Sequence, residues 1–339
     1  MIDKLNEIAN RMVAPGKGIL AADESTGSIA KRFESINLES TENNRRDYRE
    51  MLFTATGAMK AHVSGVILFD ETLRQKAKNG TPLVDIIKAS GAVPGIKLDK
   101  GPKPLPMCPG ETVTDGLDGL ADRVAEYARL GARFAKWRAV IDIGKGIPSH
   151  NSIHANAHAL ARYAAICQAG GIVPMVEPEV MMDGGHDIDT CARVTEWALK
   201  EQFQELYYAG VLLEGIILKP NMVISGKKCA TQASREEVAE KTLKVLKRCV
   251  PAAVPGITFL SGGQSSEDAT AHLHYMNAAG PLPWKLTFSY GRALQADALK
   301  AWGGKSENVA AGQRAFSHRA KMNGLACSGK WAPSLEKVA

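Results

Sequence analysis

Eight short apolar runs, each ending in or next to a polar or charged residue, recur along the chain. They are GILAAD (18–23), GVILFD (65–70), GIKLD (95–99), FAKWR (134–138), IVPMVEPE (172–179), GIILKP (215–220), GITFLS (256–261) and LTFSYGR (286–292). Such runs are too short for core helices and read as strands buried on both faces. Helix-compatible segments lie between most of them, among them LADRVAEYARL (120–130) and REEVAEKTLKVLKRCV (235–250), the latter opened by the cap-forming Ser234. Parallel strands need helical crossovers, so eight strand–helix units predict an α/β fold: a parallel (β/α)8 TIM barrel. A doubly wound sheet is the competing architecture, but it normally carries a phosphate loop after its first strand. No GxGxxG follows Asp23. No linker-like or low-complexity stretch interrupts the pattern, so residues 1–339 are expected to form one barrel domain. An extra N-terminal helix with Leu5, Ile8 and Met12 on one face precedes the barrel. A helix pair over about 293–325 follows it, with a tail from about 327 to 339.

In a barrel, alternate strand residues point inward and chemistry sits at the carboxyl ends of the strands. Those ends carry Asp23, Lys97, Lys136, Arg138, Glu177, Glu179 and Lys219. Lys136 and Arg138 are two apart and share a face, as do Glu177 and Glu179. One such charge is readily explained as a solvated strand cap. Burying several is costly unless they are paired, so charges at five strand ends together call for a chemical reason. A lysine near other cations and partly desolvated gives up its proton more readily, and its neutral amine attacks a carbonyl. The protonated imine that follows is an electron sink, which makes a nearby carbon–carbon bond breakable. Carboxylates in the same pocket supply the acid and the base. Spacing leaves Lys97, Lys136 and Lys219 open as the nucleophile; Lys219 follows the longest apolar run, Gly215 to Leu218, and is favoured on that ground.

The seventh and eighth runs carry a second signal. Ser261-Gly262-Gly263 lies at the end of one and precedes a helical stretch, while Ser289, Gly291 and Arg292 close the other. Glycines admit close approach of backbone N–H groups to an anion, and helix N-termini favour negative charge. Loops after strands seven and eight are the usual phosphate site of this architecture.

The formal charge of +6 comes from basic residues dispersed among acidic ones, which suits small phosphorylated anions and argues against nucleic acid. No run approaches the ~20 apolar residues of a membrane span, and the charged N-terminus does not read as a signal peptide. Cysteines at 108, 167, 191, 229, 249 and 327 form no CxxC pair, consistent with a reducing compartment. A soluble, cytoplasmic protein without membrane partners is expected.

At these residues the chain resembles the class I fructose-bisphosphate aldolases of animals and plants. The matching strings are APGKGILAADESTGSIAKRF (14–33), GIKLDKG (95–101), GETVTDGLDGL (110–120), FAKWR (134–138), IVPMVEPE (172–179), LKPNM (218–222), GITFLSGGQS (256–265) and LTFSYGRALQADALKAWGG (286–304). The resemblance implies that Lys219 forms a Schiff base with dihydroxyacetone phosphate and that Glu177 transfers protons at the carbinolamine. It implies that Glu179 steadies the charges and that Asp23 meets the C4 hydroxyl. Lys136 and Arg138 would surround the substrate. Ser261, Gly262, Gly263, Ser289, Gly291 and Arg292 would hold the ketose 1-phosphate, and Ser25, Ser28, Arg32 and Lys97 the other phosphate end. It further implies a homotetramer and no metal or other cofactor. Animal members end in a tyrosine that assists proton exchange, whereas this chain ends Leu335-Glu336-Lys337-Val338-Ala339.

Two other readings compete. His150, His154 and His158 are four apart and would line one helix face, a spacing used in zinc sites. No nearby carboxylate or cysteine is expected to complete a ligand set, so the stripe is read as a partly exposed surface rather than the centre of a metal-dependent lyase. A catalytically silent barrel should lack a necessary group, yet Lys219, Glu177 and Asp23 are all present.

Overall fold

The computed structural model describes residues 2–337. The eight predicted runs form a closed, all-parallel barrel. Its strands are β1 Gly18–Ala22, β2 Val63–Leu68, β3 Val93–Lys97, β4 Phe134–Ile141, β5 Val173–Val180, β6 Ile217–Leu218, β7 Gly256–Phe259 and β8 Lys285–Tyr290. Each pairs with its sequence neighbour, and β8 closes on β1. The predicted fold class is therefore correct. Ser234 does cap the helix Arg235–Cys249, accepting a hydrogen bond from the Glu237 backbone at 3.2 Å.

The barrel is filled, as it must be if its inward side chains are to leave water. Ile19, Ala21, Ile67, Val93, Phe134, Val173, Met175 and Ile217 pack together inside it. The helix Ile2–Met12 joins the same cluster through Leu5, Ala9 and Met12, with Ile8 at its margin, so the predicted N-terminal helix packs onto this inner core. Phe134 fits because β3 carries a glycine opposite it: a Cβ on Gly95 would lie 2.3 Å from the Phe134 ring. A second, larger apolar shell lies between the strands and the outer helices and includes Leu20, Val66, Ile96, Trp137, Val176 and Leu218.

Several boundaries differ from expectation, each for a local reason. The run at 215–220 is only briefly a strand, because Leu213–Gly215 turns as a 3-10 segment before it. Lys219 nevertheless continues the pairing, donating its backbone N–H to Val176 at 2.8 Å. β2, β3 and β8 stop at Leu68, Lys97 and Tyr290, short of their predicted ends. Asp70 starts a short helix, and Arg292 is the first residue of the helix Arg292–Trp302 rather than the end of a strand. Pro102–Pro104 and Thr112–Thr114 form an antiparallel ribbon that no apolar run announces.

The segment expected to be a tail is docked as far as it is described. The helix Val309–Cys327 is followed by a buried Trp331 and a 3-10 turn at Pro333–Glu336. Glu336 accepts hydrogen bonds from the Trp331 indole at 2.8 Å and from the Arg319 guanidinium, anchoring the segment to the helix. Val338 and Ala339 lie outside the described residues.

Candidate active site

A cavity of about 380 Å³ opens at the carboxyl ends of the strands. Asp23, Ser25, Ser28, Arg32, Lys97, Lys136, Arg138, Glu177, Glu179, Lys219, Ser261, Gly262, Ser289, Gly291 and Arg292 line it, each singled out from the sequence. Gly263 stands just outside this lining. Its positive φ of 77° and the Met182 side chain, 2.2 Å from where a Cβ would sit, explain why glycine turns the loop there. Ala21, Glu24 and Leu260 also line the wall and were not foreseen.

Strand register sets the charges against one another. Lys97 on β3 is the register partner of Lys136 on β4, and Arg138 is that of Glu177 on β5. Glu177 sits between two amines: Oε1 lies 3.0 Å from Lys219 Nζ and Oε2 lies 3.2 Å from Lys136 Nζ. Lys136 also reaches Asp23 Oδ2 at 2.8 Å. Lys219, Lys136 and Glu177 are 3–4% exposed, so water does little to screen this chain of contacts. For Asp23, Glu177 and Lys136, burial by itself opposes the charge, and the opposite charges outweigh it. Asp23 is thereby lowered to about 2, by Lys136 and then Lys219. Glu177 is also lowered, by Lys136, Lys219 and Arg138. Lys136 is driven far above its ordinary value by Asp23, Glu177 and Asp99.

These contacts distinguish the three lysines that spacing left open. Lys136 is fixed as an ammonium by two carboxylates. Lys97 donates to Asp99, at 2.6 Å to the carboxylate and 2.8 Å to the carbonyl. Lys219 shares one carboxylate, Glu177, whose other oxygen faces Lys136.

The flanking groups are held from behind. Arg138 donates through Nε to Glu179, and burial, which opposes its charge, is overcome chiefly by that carboxylate. Glu24 is the main residue that sequence reasoning missed. Its carboxylate is 2.5 Å from Arg32 and 3.2 Å from the fully buried Arg49, and it accepts from Gln295 at 3.3 Å. Its adjacency to Asp23 was the only available signal. Asp99 was passed over although it ends the third run, and it fastens Lys97 and the Arg138 backbone N–H.

On β8, Ser289 is 1% exposed, and its hydroxyl has no hydrogen-bond partner among the described residues. A buried hydroxyl without a partner is costly, and one on a cavity wall fits a ligand acceptor. Nearby, Ser265 caps the helix Ser266–Ala278, and Gly291 precedes the helix starting at Arg292, giving two helix N-termini beside the cavity. The Arg32 guanidinium lies 3.3 Å from where a Gly291 Cβ would be. Arg32 therefore stands against the loop associated with the 1-phosphate, although the resemblance groups it with the other end.

The His150, His154 and His158 stripe lies on the helix His150–Ala169, and none of these residues lines the cavity. The expectation that no carboxylate accompanies the stripe is incorrect. The helix Ile188–Tyr208 places Glu201 and Glu205 against it, a proximity invisible at 47 residues' separation.

A family model described as fructose-bisphosphate aldolase class-I matches residues 4–339. The chain belongs to the class-I fructose-bisphosphate aldolase family. It is 60% identical over 331 residues to the probable fructose-bisphosphate aldolase class 1 of Xanthomonas axonopodis pv. citri, covering 97% of this chain and 99% of that protein. It is 56% identical over 316 residues to the cytosolic fructose-bisphosphate aldolase 4 of Arabidopsis thaliana, covering 93% and 80%. The fold also superposes, with a TM-score of 0.96 and 50% identity, on fructose-bisphosphate aldolase from Plasmodium falciparum, solved in complex with TRAP and a small-molecule inhibitor. That match covers 98% of this chain and 96% of the other.

Proposed function

We propose that this protein reversibly cleaves fructose 1,6-bisphosphate into dihydroxyacetone phosphate and glyceraldehyde 3-phosphate through a Schiff base on Lys219, acting in glycolysis and gluconeogenesis. The observation that carries the reading is the buried chain Lys219–Glu177–Lys136–Asp23, in which one amine shares its single carboxylate neighbour with a permanently charged lysine. Glu177, ionised at rest, first takes a proton from Lys219, 3.0 Å away, so that the neutral Nζ attacks the C2 carbonyl; it then returns that proton to the departing hydroxyl, so water leaves and the protonated imine forms. Asp23 accepts the C4 hydroxyl proton as the C3–C4 bond breaks. That electron pair enters the imine to give the enamine. A carboxylate held at about 2 is a weak base, so the Lys136 contact must loosen as the substrate hydroxyl takes its place.

Ser261, Gly262, Gly263, Ser289, Gly291 and Arg292 would hold the 1-phosphate, with the unpartnered Ser289 hydroxyl supporting that side. Ser25, Ser28 and Lys97 would serve the other phosphate, joined by Arg32 from its place beside Gly291; Lys136 and Arg138 would serve the substrate hydroxyls, and Glu179 the position of Arg138. The chemistry needs no metal or organic cofactor. The proposed setting is cytoplasmic, as a single-domain subunit of a homotetramer; no described helix is long and apolar enough to cross a membrane.

Borohydride reduction in the presence of dihydroxyacetone phosphate, followed by peptide mass mapping, tests the assignment. Modification should fall on Lys219, and Lys219→Ala should lose both trapping and cleavage. Label on Lys136 or Lys97 would refute it, and a rate abolished by excess EDTA would refute the metal-free mechanism.

A further inference from the structure

We propose that His154, Glu201 and Glu205 form a binding site for a divalent transition-metal cation of the zinc type, on the outside of the barrel and apart from the substrate cavity. The three donor atoms, an imidazole nitrogen and one oxygen from each carboxylate, all lie within 4.8 Å of one another. His154 Nδ1 is 2.8 Å from Glu201 Oε1 and 3.6 Å from Glu205 Oε1. Ligands held 2.0–2.2 Å from a tetrahedral zinc are roughly 3.3–3.5 Å apart, so the two spacings bracket what a bound ion requires.

Elementary chemistry favours an ion over a plain hydrogen-bonded cluster. One ring nitrogen carries at most one proton, so His154 Nδ1 can donate to only one of the two carboxylates facing it. A divalent cation satisfies all three donors and balances two negative charges, one of them on Glu205, which is only 7% exposed. Glu205 is also aimed from behind: its Oε2 lies 2.8 Å from His158 Nδ1. That is the kind of outer contact that fixes a carboxylate ligand. Both helices supply their pairs at i and i+4, so the donors share one face of each. His154 is about half exposed, leaving room for water to complete the coordination. The mixed nitrogen and oxygen set suits Zn2+, or Cu2+ more tightly, and gives little to Mg2+, which prefers oxygen alone. Such an ion would tie the helix His150–Ala169 to the helix Ile188–Tyr208.

The probe is Zn2+ itself, titrated into the purified full chain by calorimetry, with Mg2+ as the control. The expected result is one saturable Zn2+ site per chain, weakened at least about tenfold in His154→Ala and in Glu201→Gln. X-ray absorption should give a nitrogen and oxygen shell without sulfur. Zn2+ should raise the melting temperature of the wild type by several degrees and leave His154→Ala unmoved. Metal-free melts of the two should agree within about two degrees, which shows that the variant folds. Cleavage by His154→Ala in EDTA should match wild type, since the residue does not line the cavity. A sulfur-containing shell, unchanged affinity in both variants, or no saturable binding below roughly 100 µM Zn2+ would each overturn the proposal.

Discussion

Lys136 Nζ lies 2.8 Å from Asp23 Oδ2, although β4 and β1 are separated in the barrel by β2 and β3. The contact therefore spans the barrel mouth rather than following the sheet, and both partners are nearly dry. Lys136→Met should leave Asp23 as a carboxylate without its cation, and Glu177 with Lys219 alone. Breaking a buried pair from one side costs about 3–5 kcal/mol. Urea unfolding at pH 7 should show a loss in that range, and adding Asp23→Asn should recover part of it. A double variant no more stable than Lys136→Met alone would show that the two residues are not coupled.

The same pair predicts a pH dependence. Asp23 is held at about 2 against an ordinary 3.8, so the folded state binds its proton less readily than the unfolded chain. Its contribution is fully present above about pH 3.8 and is lost as pH falls through 2. The difference between 3.8 and about 2 corresponds to about 2 kcal/mol. The stability gap between wild type and Asp23→Asn should be largest near neutrality and should shrink by about that amount between pH 5 and pH 2. A gap independent of pH would contradict the assignment.

Glu177 has one oxygen on each lysine, which suits a group that hands protons to the reacting end of the substrate. Glu177→Gln keeps the size and removes the acid–base capacity. General acid–base groups contribute roughly 100- to 10,000-fold, so kcat should fall within that range while KM changes little. A variant within about threefold of wild type would exclude the role.

The barrel was legible because parallel strands buried on both faces leave apolar runs, and because the costly charges are concentrated where those runs end. Glu24 and Arg49 were harder to see. Arg49 lies within the helix Glu42–Phe53, and its burial against Glu24 follows from how that helix packs. The ribbon at Pro102–Pro104 and Thr112–Thr114 has three-residue strands, too short for any alternation to register. Glu201 and Glu205 look like ordinary exposed helix charges until the helix His150–Ala169 is laid beside them.

Glu336 shows why the terminal segment reads as a tail yet is bound. Its partners Arg319 and Trp331 are both buried, and Trp331 would otherwise leave its indole N–H without an acceptor. Glu336→Ala should destabilise the docked segment by about 1–3 kcal/mol, the cost of a buried donor left unsatisfied. Limited proteolysis should then cut after about residue 327 faster than in wild type. Equal cleavage rates would show that Glu336 does not hold the segment.

Arg292 and Lys97 should separate the two phosphate ends. Arg292 starts the helix that follows β8, beside Gly291 and the Ser261-Gly262-Gly263 loop, where the phosphate common to fructose 1,6-bisphosphate and fructose 1-phosphate would sit. Lys97 ends β3, separated from β8 around the barrel by β1 and β2, and already leans on Asp99. Removing it leaves Asp99 with two backbone donors, Gly101 at 3.2 Å and Arg138 at 3.3 Å, so that carboxylate is not abandoned. A hydrogen bond to a charged group is worth about 1.5–3 kcal/mol, or roughly 10- to 150-fold in kcat/KM. Arg292→Ala should therefore weaken both substrates by similar factors. Lys97→Ala should slow the bisphosphate at least about tenfold and the monophosphate much less, since the monophosphate lacks the group that Lys97 would meet. Steady-state kinetics on both sugars decide the matter: equal losses for Lys97→Ala would place its role with Lys136 and Asp99 at the reacting centre.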